Sequence, residues 1–342
     1  MAETHTFIYP NTYALACGTD LPGFELCYTI DGWEEGKLKP VLWICHAFTG
    51  SAEVYDWWDS LIGPGAFFDP ASYVIICANM LGSCYGSTGP LSVCPQTGKP
   101  WFHDFPVLTN RDIVGAFELL RQHLGIAKID ILMGGSMGGQ QVLEWAIMYP
   151  EAIEKIIPIA TNAFHSPWGI AFNETQRMAI EADASWEKNQ EDSGMQGMKA
   201  ARAVAMLSYR TYEGYNLRQS ESNHDKIDDY RASSYQRYMG EKLSNRFNAY
   251  TYWYLSKAMD NHHIGRGRGD AIQALESILA QALVVALEGD ILFPPEEQRF
   301  IADHIAHAQF VAIPSTFGHD GFLVESEALA QACQKFLASK VY

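Results

Sequence analysis

Short, almost unbroken apolar runs recur along the chain, at residues 41–45, 73–78, 129–133, 156–160, 282–287 and 309–313. Strands that read as continuous Val, Ile and Leu, without polar alternation, are buried on both faces, as in a parallel sheet covered by helices. Helical patterns lie between these runs, over 111–123, 139–148, 296–304 and 326–339. Tyr149-Pro150 ends the second of them, because proline disfavours helical backbone in the residue before it. The pattern predicts an α/β architecture, a mostly parallel central sheet with helices on both faces. The segments around Phe7 and from Glu25 to Thr29 are expected to add an antiparallel edge.

The rhythm breaks between residues 163 and 270. No strand-like run occurs there, and helix formers dominate, as from Met198 to Leu207. This predicts a core domain of residues 1–162 and 271–342, interrupted by an inserted helical lid of residues 163–270. Such a lid lies over the carboxyl ends of the strands, where open α/β sheets bind ligands.

Composition narrows the function. A formal net charge of −16 opposes nucleic acid and anionic membrane surfaces as partners. No apolar run reaches the roughly 18 residues of a membrane span. The opening Met1-Ala2-Glu3-Thr4-His5 has neither a basic region nor an apolar stretch after it, so a cytoplasmic location is expected. The seven cysteines show no metal-type spacing; Cys45 and Cys77 sit in apolar runs as small hydrophobes. Cys84 lies in a loop but has no base beside it in sequence, so it makes a poor nucleophile. His262-His263 and the pair His304 and His307 lack an acidic third ligand, and no metal site is expected. Gly265-Arg266-Gly267-Arg268-Gly269 reads as a solvated turn more readily than as an anion-binding loop.

The strongest chemical signal is Gly134-Gly135-Ser136-Met137-Gly138-Gly139, a G-x-S-x-G pattern between a strand run and a helical pattern. A turn that lifts a serine off the end of a strand reverses so tightly that side chains at 134 and 138 would clash. Serine needs a base, and the base needs an orienting carboxylate. In the α/β-hydrolase fold these follow in the order Ser, acid, His. Asp290 stands after the 282–287 run and His319 after the 309–313 run; of eleven histidines it alone occupies that slot. Ser136, Asp290 and His319 are therefore the expected catalytic triad. The oxyanion hole is expected from the backbone N–H of Met137 and, in the loop after the first internal strand, that of Phe48. His46, in the same loop, is expected to be structural.

Several strings resemble the homoserine O-acetyltransferases of methionine biosynthesis: His46-Ala47-Phe48-Thr49-Gly50, residues 61–65 and 82–90, Asp104-Phe105-Pro106, the elbow with Glu144-Trp145, Leu292-Phe293-Pro294-Pro295 and Gly318-His319-Asp320. The resemblance implies transfer of an acetyl group from acetyl-CoA, as co-substrate and not as a bound cofactor, to the hydroxyl of L-homoserine through an acyl-serine. It implies that Arg202 and Tyr209 of the lid hold the acceptor's carboxylate; about two helical turns apart, they face the same way. It implies that Asp320 meets the acceptor's ammonium, and that a homodimer forms through the lid helices. The chain departs from the commoner pattern in a shorter lid and in Phe48, where leucine is more usual. Succinyl transfer, or serine as acceptor, is the alternative within the family. An esterase or thioesterase is a more distant rival, and a non-catalytic ligand-binding protein of this fold is disfavoured by the complete triad.

Overall fold

A computed structural model describes residues 2–34 and 38–339; Met1, which opens the N-terminal run discussed above, lies outside them. Strand β1 (Glu3–Tyr9) leads through a small ladder, β2 (Tyr13–Ala14) against β3 (Asp20–Leu21), to β4 (Phe24–Asp31). The following strands are β5 (Val41–Cys45), β6 (Val74–Ala78), β7 (Ile129–Gly135), β8 (Ile153–Ile159), β9 (Gln281–Leu287) and β10 (Ala308–Ile313). Eight of them form one sheet in the order β1-β4-β6-β5-β7-β8-β9-β10. Pairing is parallel from β6 across to β10, while β1 and β4 form the expected antiparallel edge, with Phe7 opposite Leu26.

Every residue of β5 is buried, which explains its unbroken apolar sequence. Its side chains divide between two cores. Trp43 and Cys45 enter the one covered by α1 (Asn110–His123) and α2 (Met137–Met148). Leu42 and Ile44 enter the one that also contains Leu329, Cys333 and Phe336 of the C-terminal helix. On the first face Trp43 and Trp145 meet edge to face, centroids 5.0 Å apart, and the Trp145 indole donates to Glu118 at 3.1 Å. Helix α1 starts on a capping box, in which Thr109 accepts from the backbone of Asp112 and the Asp112 side chain answers the backbone N–H of Thr109.

After β8 the chain is helical until β9. Helices α3 (Pro167–Glu181), α4 (Met195–Tyr209), α5 (Tyr212–Gln219), α6 (Arg231–Ser244) and α7 (Ala249–Asp260) precede the short α8 (Ala271–Glu276). Where this segment leaves and rejoins the core its two ends pair as an antiparallel bridge, with His165 N–H donating to His262 O and Ile264 N–H to Ala163 O, both at 3.0 Å. Inside it the buried Arg177 ties α3 to α7, donating to Asp260 at 2.5 Å and to Ser256 at 2.9 Å. The fold closes with α9 (Pro295–His304), the single turn α10 (Gly321–Val324) and α11 (Ser326–Ala338).

The observed elements differ from expectation at their ends, and the differences are informative. Strand β7 runs two residues further, to Gly135, because Gly134 and Gly135 still pair with Pro158 and Ile159 of β8. Helix α2 begins at Met137, directly after the serine, although the two glycines that follow are poor helix formers; packing overrides propensity there. Glycine is required at 138, since a Cβ would stand 2.1 Å from the Cys45 carbonyl oxygen, and at 134, where it would stand 2.6 Å from the Gly138 carbonyl. Both obstacles are backbone. We therefore expect Gly138→Ala to lower stability by about 3 kcal/mol, the upper end for an overpacked site, read as a lower urea midpoint than the parent's. A midpoint equal to the parent's would show that this crossing of strand and helix is looser than described.

Candidate active site

At the carboxyl end of β7 the backbone of Ser136 adopts φ 57° and ψ −125°. A non-glycine residue enters that region only under constraint. The constraint comes from both sides: Ser136 N–H donates to Ile159 O at 2.9 Å, and its carbonyl accepts from the Thr161 hydroxyl at 2.8 Å. The side chain is thereby lifted to the end of the sheet, where His319 Nε2 stands 2.8 Å from Ser136 Oγ. His319 Nδ1 stands 2.7 Å from Asp290 Oδ2. The other oxygen of Asp290 accepts from the backbone N–H groups of Leu292, at 2.8 Å, and Phe293, at 2.9 Å, so the carboxylate is fixed on both sides. The three expected triad residues are together, buried and in hydrogen-bonding sequence.

Burial of His319 works against its charged form. The charge and hydrogen bond of Asp290, with the charge of Asp320, outweigh that and hold the imidazole above its ordinary value. Phe293 stacks on the ring, centroids 5.0 Å apart, and limits its rotation. Glu297 lies close enough to Asp290 to feel its charge; burial chiefly, and that charge, lift its carboxyl to about 7.

The loop after β5 abuts the elbow, for the missing Cβ of Gly138 would lie 3.0 Å from the His46 carbonyl oxygen. His46 is structural, as expected. Its Nε2 accepts from Met80 N–H at 3.1 Å, so Nδ1 carries the proton and donates to Ala47 O at 2.9 Å. Burial pushes it down to about 4, keeping it neutral. Phe48 is buried edge-on against Tyr252, centroids 4.6 Å apart, and the Tyr252 hydroxyl donates to Gln176. Met137 opens α2, where the first N–H groups of a helix have no acceptor within it.

Helix α4 brings Arg202 and Tyr209 together at the same centre. The Arg202 guanidinium carbon lies 5.2 Å from the centroid of the Tyr209 ring, and that ring lies 5.6 Å from the ring of His319. Arg202 Nε and Nη1 are buried and meet no protein acceptor. Asp320 has a partner that sequence reasoning missed: Arg210, the residue after α4, donates to it at 3.0 Å. Next to it Thr211 donates to Thr316 O at 2.6 Å, and a Cβ on Gly318 would stand 3.1 Å from the Thr211 nitrogen. The turn between α4 and α5 thus sits directly on the loop that carries the histidine. Tyr252, Glu297 and Arg210 had no signal in the sequence, because each gains its role from a residue distant along the chain.

The remaining candidates are occupied elsewhere. Burial pushes the Cys84 thiol up to about 11, opposite to what a nucleophile needs. Arg268, in the glycine-arginine turn, is paired at 2.7 Å with the buried Glu144, which also holds Arg111 at 3.2 Å. His262 meets Asn162 O at 3.1 Å and His304 meets Phe300 O at 2.7 Å.

A buried Ser-His-Asp chain on a strained turn at the end of a mostly parallel sheet defines a serine-nucleophile enzyme of the α/β-hydrolase class, and the family model described as alpha/beta hydrolase fold matches residues 40–326. Within that class, the homoserine O-acetyltransferase of Cyclobacterium marinum is 49% identical over 330 residues, covering 96% of this chain and 94% of that protein. The chain belongs to the homoserine O-acetyltransferase family. Among solved structures, the homoserine O-acetyltransferase of Staphylococcus aureus superposes with a TM-score of 0.84 at 28% identity, covering 100% of this chain and 97% of that one. Esterase E22 superposes with a TM-score of 0.89 at 26% identity, covering 98% of this chain and 100% of that one.

An imidazole held above its ordinary value of 6.5 takes up its proton at a higher pH, and protonated it cannot act as base. The acid limb of kcat/KM is therefore expected above pH 6.5. In Asp320→Asn, which removes one of the charges that raise His319, that limb should move to lower pH. A limb that stays in place would show that Asp320 exerts no such influence.

Proposed function

We propose that this chain transfers the acetyl group of acetyl-CoA to the hydroxyl of L-homoserine through an acetyl-Ser136 intermediate, a reaction of methionine biosynthesis. His319 Nε2 removes the Ser136 proton as Oγ attacks the thioester carbon, and Asp290 stabilises the resulting imidazolium. The backbone N–H groups of Phe48 and Met137 receive the developing oxyanion, each contributing roughly 3 kcal/mol to lowering the barrier. The C–S bond breaks and coenzyme A leaves as its thiol, taking the proton from His319. The same imidazole then deprotonates the homoserine hydroxyl, which attacks the acetyl ester; the ester C–O bond breaks and Ser136 Oγ takes the proton back from His319.

The observation that carries this reading, beyond family membership, is Arg202: two enclosed guanidinium nitrogens with no partner among the described residues, against Tyr209, whose ring neighbours that of the base. A hydrolase needs only water as acceptor and has no use for a carboxylate clamp. Transfer outruns hydrolysis when the acceptor hydroxyl is held at the ester, and such positioning can be worth an effective concentration of about 10⁵ M or more. Arg202 and Tyr209 supply the carboxylate grip. Asp320 accepts the ammonium on the side not taken by Arg210.

In this reading residues 163–270 form a lid over the core of residues 1–162 and 271–342, a division supported by the bridge that joins its two ends. Leu217, Ile227 and Tyr212 are large side chains left exposed on the helical segment, which suits a homodimer formed through the lid. Seven unpaired cysteines suit the reducing cytoplasm. Among the described residues no helix is long and apolar enough to cross a membrane.

Mixing enzyme with acetyl-CoA alone should give a stoichiometric burst of free thiol and an acetyl adduct on Ser136, followed by slow turnover. Ser136→Ala should lose burst and transfer alike, by about 10⁴-fold or more, with its unfolding midpoint unchanged. Intersecting double-reciprocal lines with no adduct would mean direct transfer in a ternary complex. Arg202→Ala should raise the homoserine KM by about 30- to 100-fold, as loss of a charge-assisted carboxylate pair implies, while leaving the burst intact. An unchanged homoserine KM would place the acceptor elsewhere.

A further inference from the structure

A cavity of about 770 Å³ opens against the loop after β5. Ala47 and Thr49, which flank Phe48, form part of its wall, and so does Leu323, one helical turn beyond His319. Arg202 lines it as well, and Arg202 lies against Tyr209, whose ring neighbours that of His319. Two more cations stand on it, Lys242 in the last turn of α6 and Arg246 just beyond that helix. Both are exposed to solvent. Arg246 Nη1 donates to Thr49 O at 2.7 Å and to the Tyr85 hydroxyl, leaving its other nitrogens for a ligand. No ion pair fixes Lys242 among the described residues.

Three cations on one cavity are notable in a chain with 24 basic and 40 acidic side chains. Lys242 and Arg246 are not needed for the acceptor, whose single carboxylate Arg202 answers. Glu53 and Asp56, beside and on the short helix of Val54–Asp56, share the lining and would repel an anion there. A polyanionic ligand in this cavity therefore has its charge at the α6 end and its uncharged part along Thr49 and Ala47, leading toward Phe48 and Ser136. An acyl thioester of coenzyme A has that layout, with phosphates at one end, a neutral pantetheine arm and the reacting carbonyl at the other.

We propose that Lys242 and Arg246 seat a phosphate group of the acyl donor, and that this cavity delivers its thioester to Ser136. The inference rests on the transferase reading above. Because Arg246 also holds the loop of Phe48, Lys242 is the cleaner probe. Its side chain is exposed at a helix end, where substitution leaves the fold intact.

The test compares Lys242→Glu with the parent at saturating homoserine, using acetyl-CoA, its 3′-dephospho form and S-acetylpantetheine as donors. Lys242→Glu is expected to raise the acetyl-CoA KM by about tenfold or more, as loss of a charge-assisted phosphate contact and its replacement by repulsion imply, with kcat and the homoserine KM within about twofold. With S-acetylpantetheine, which has no nucleotide phosphates, parent and variant should coincide. A penalty that persists with the 3′-dephospho donor assigns the contact to the diphosphate; one that vanishes assigns it to the 3′-phosphate. Lys188→Glu, the same charge change elsewhere on the helical segment, should match the parent throughout. Equal KM values for parent and Lys242→Glu with acetyl-CoA, or an equal penalty with S-acetylpantetheine, would overturn the phosphate seat alone. Absence of transfer to homoserine by the parent from every donor would overturn the transferase reading and this inference with it.

Discussion

The backbone of Ser136 is held where few residues other than glycine settle, at a cost of roughly 1–3 kcal/mol, and the arrangement of the centre follows from how that conformation is maintained. Its N–H is tied to Ile159 and its carbonyl to Thr161, both at the end of β8. The helix that starts at Met137 is pressed against the carbonyl oxygen of Cys45, at the end of β5, so closely that only glycine fits at 138. Three adjacent parallel strands thus fix one serine. Because parallel strands end on the same side, the loops after β9 and β10 deliver Asp290 and His319 to the same edge, and the loop after β5 delivers Phe48.

The helical segment between β8 and β9 contributes in a different way. It is joined to the core at its neck by the pairing of residues around Phe164 and His263, and stiffened inside by Arg177. At the turn from α4 to α5 it presses on the histidine loop itself, through Arg210 on Asp320 and Thr211 on Thr316. The residues proposed to recognise the acceptor and the base that activates it are therefore parts of one packed unit.

Much of the sheet was legible because burial on both faces leaves an apolar run with no polar interruption, as in Val41 to Cys45. The triad was legible because its members occupy loops whose positions are set by strand order, and because Gly134 and Gly138 are demanded by backbone contacts that no other residue tolerates. The strand ends were less legible. Ile153, Glu154 and Lys155 belong to β8 although two of them are polar, since they pair with β7 at its partly exposed start. Arg210, Tyr252 and Glu297 were not legible at all. Each is an ordinary helix or turn residue in sequence, and acquires its partner, Asp320, Phe48 or Asp290, only when distant segments pack.

Arg202 has one further consequence. A half-buried cation whose enclosed Nε and Nη1 meet no partner among the described residues is a weakness in the fold, since the desolvation of those atoms is only partly compensated. Any carboxylate that joins it adds its binding free energy to the stability of the native state by mass action. If the acceptor binds there as proposed, it would also act as a chaperone of the folded chain, and the protein's lifetime against heat or proteolysis would follow the supply of that amino acid.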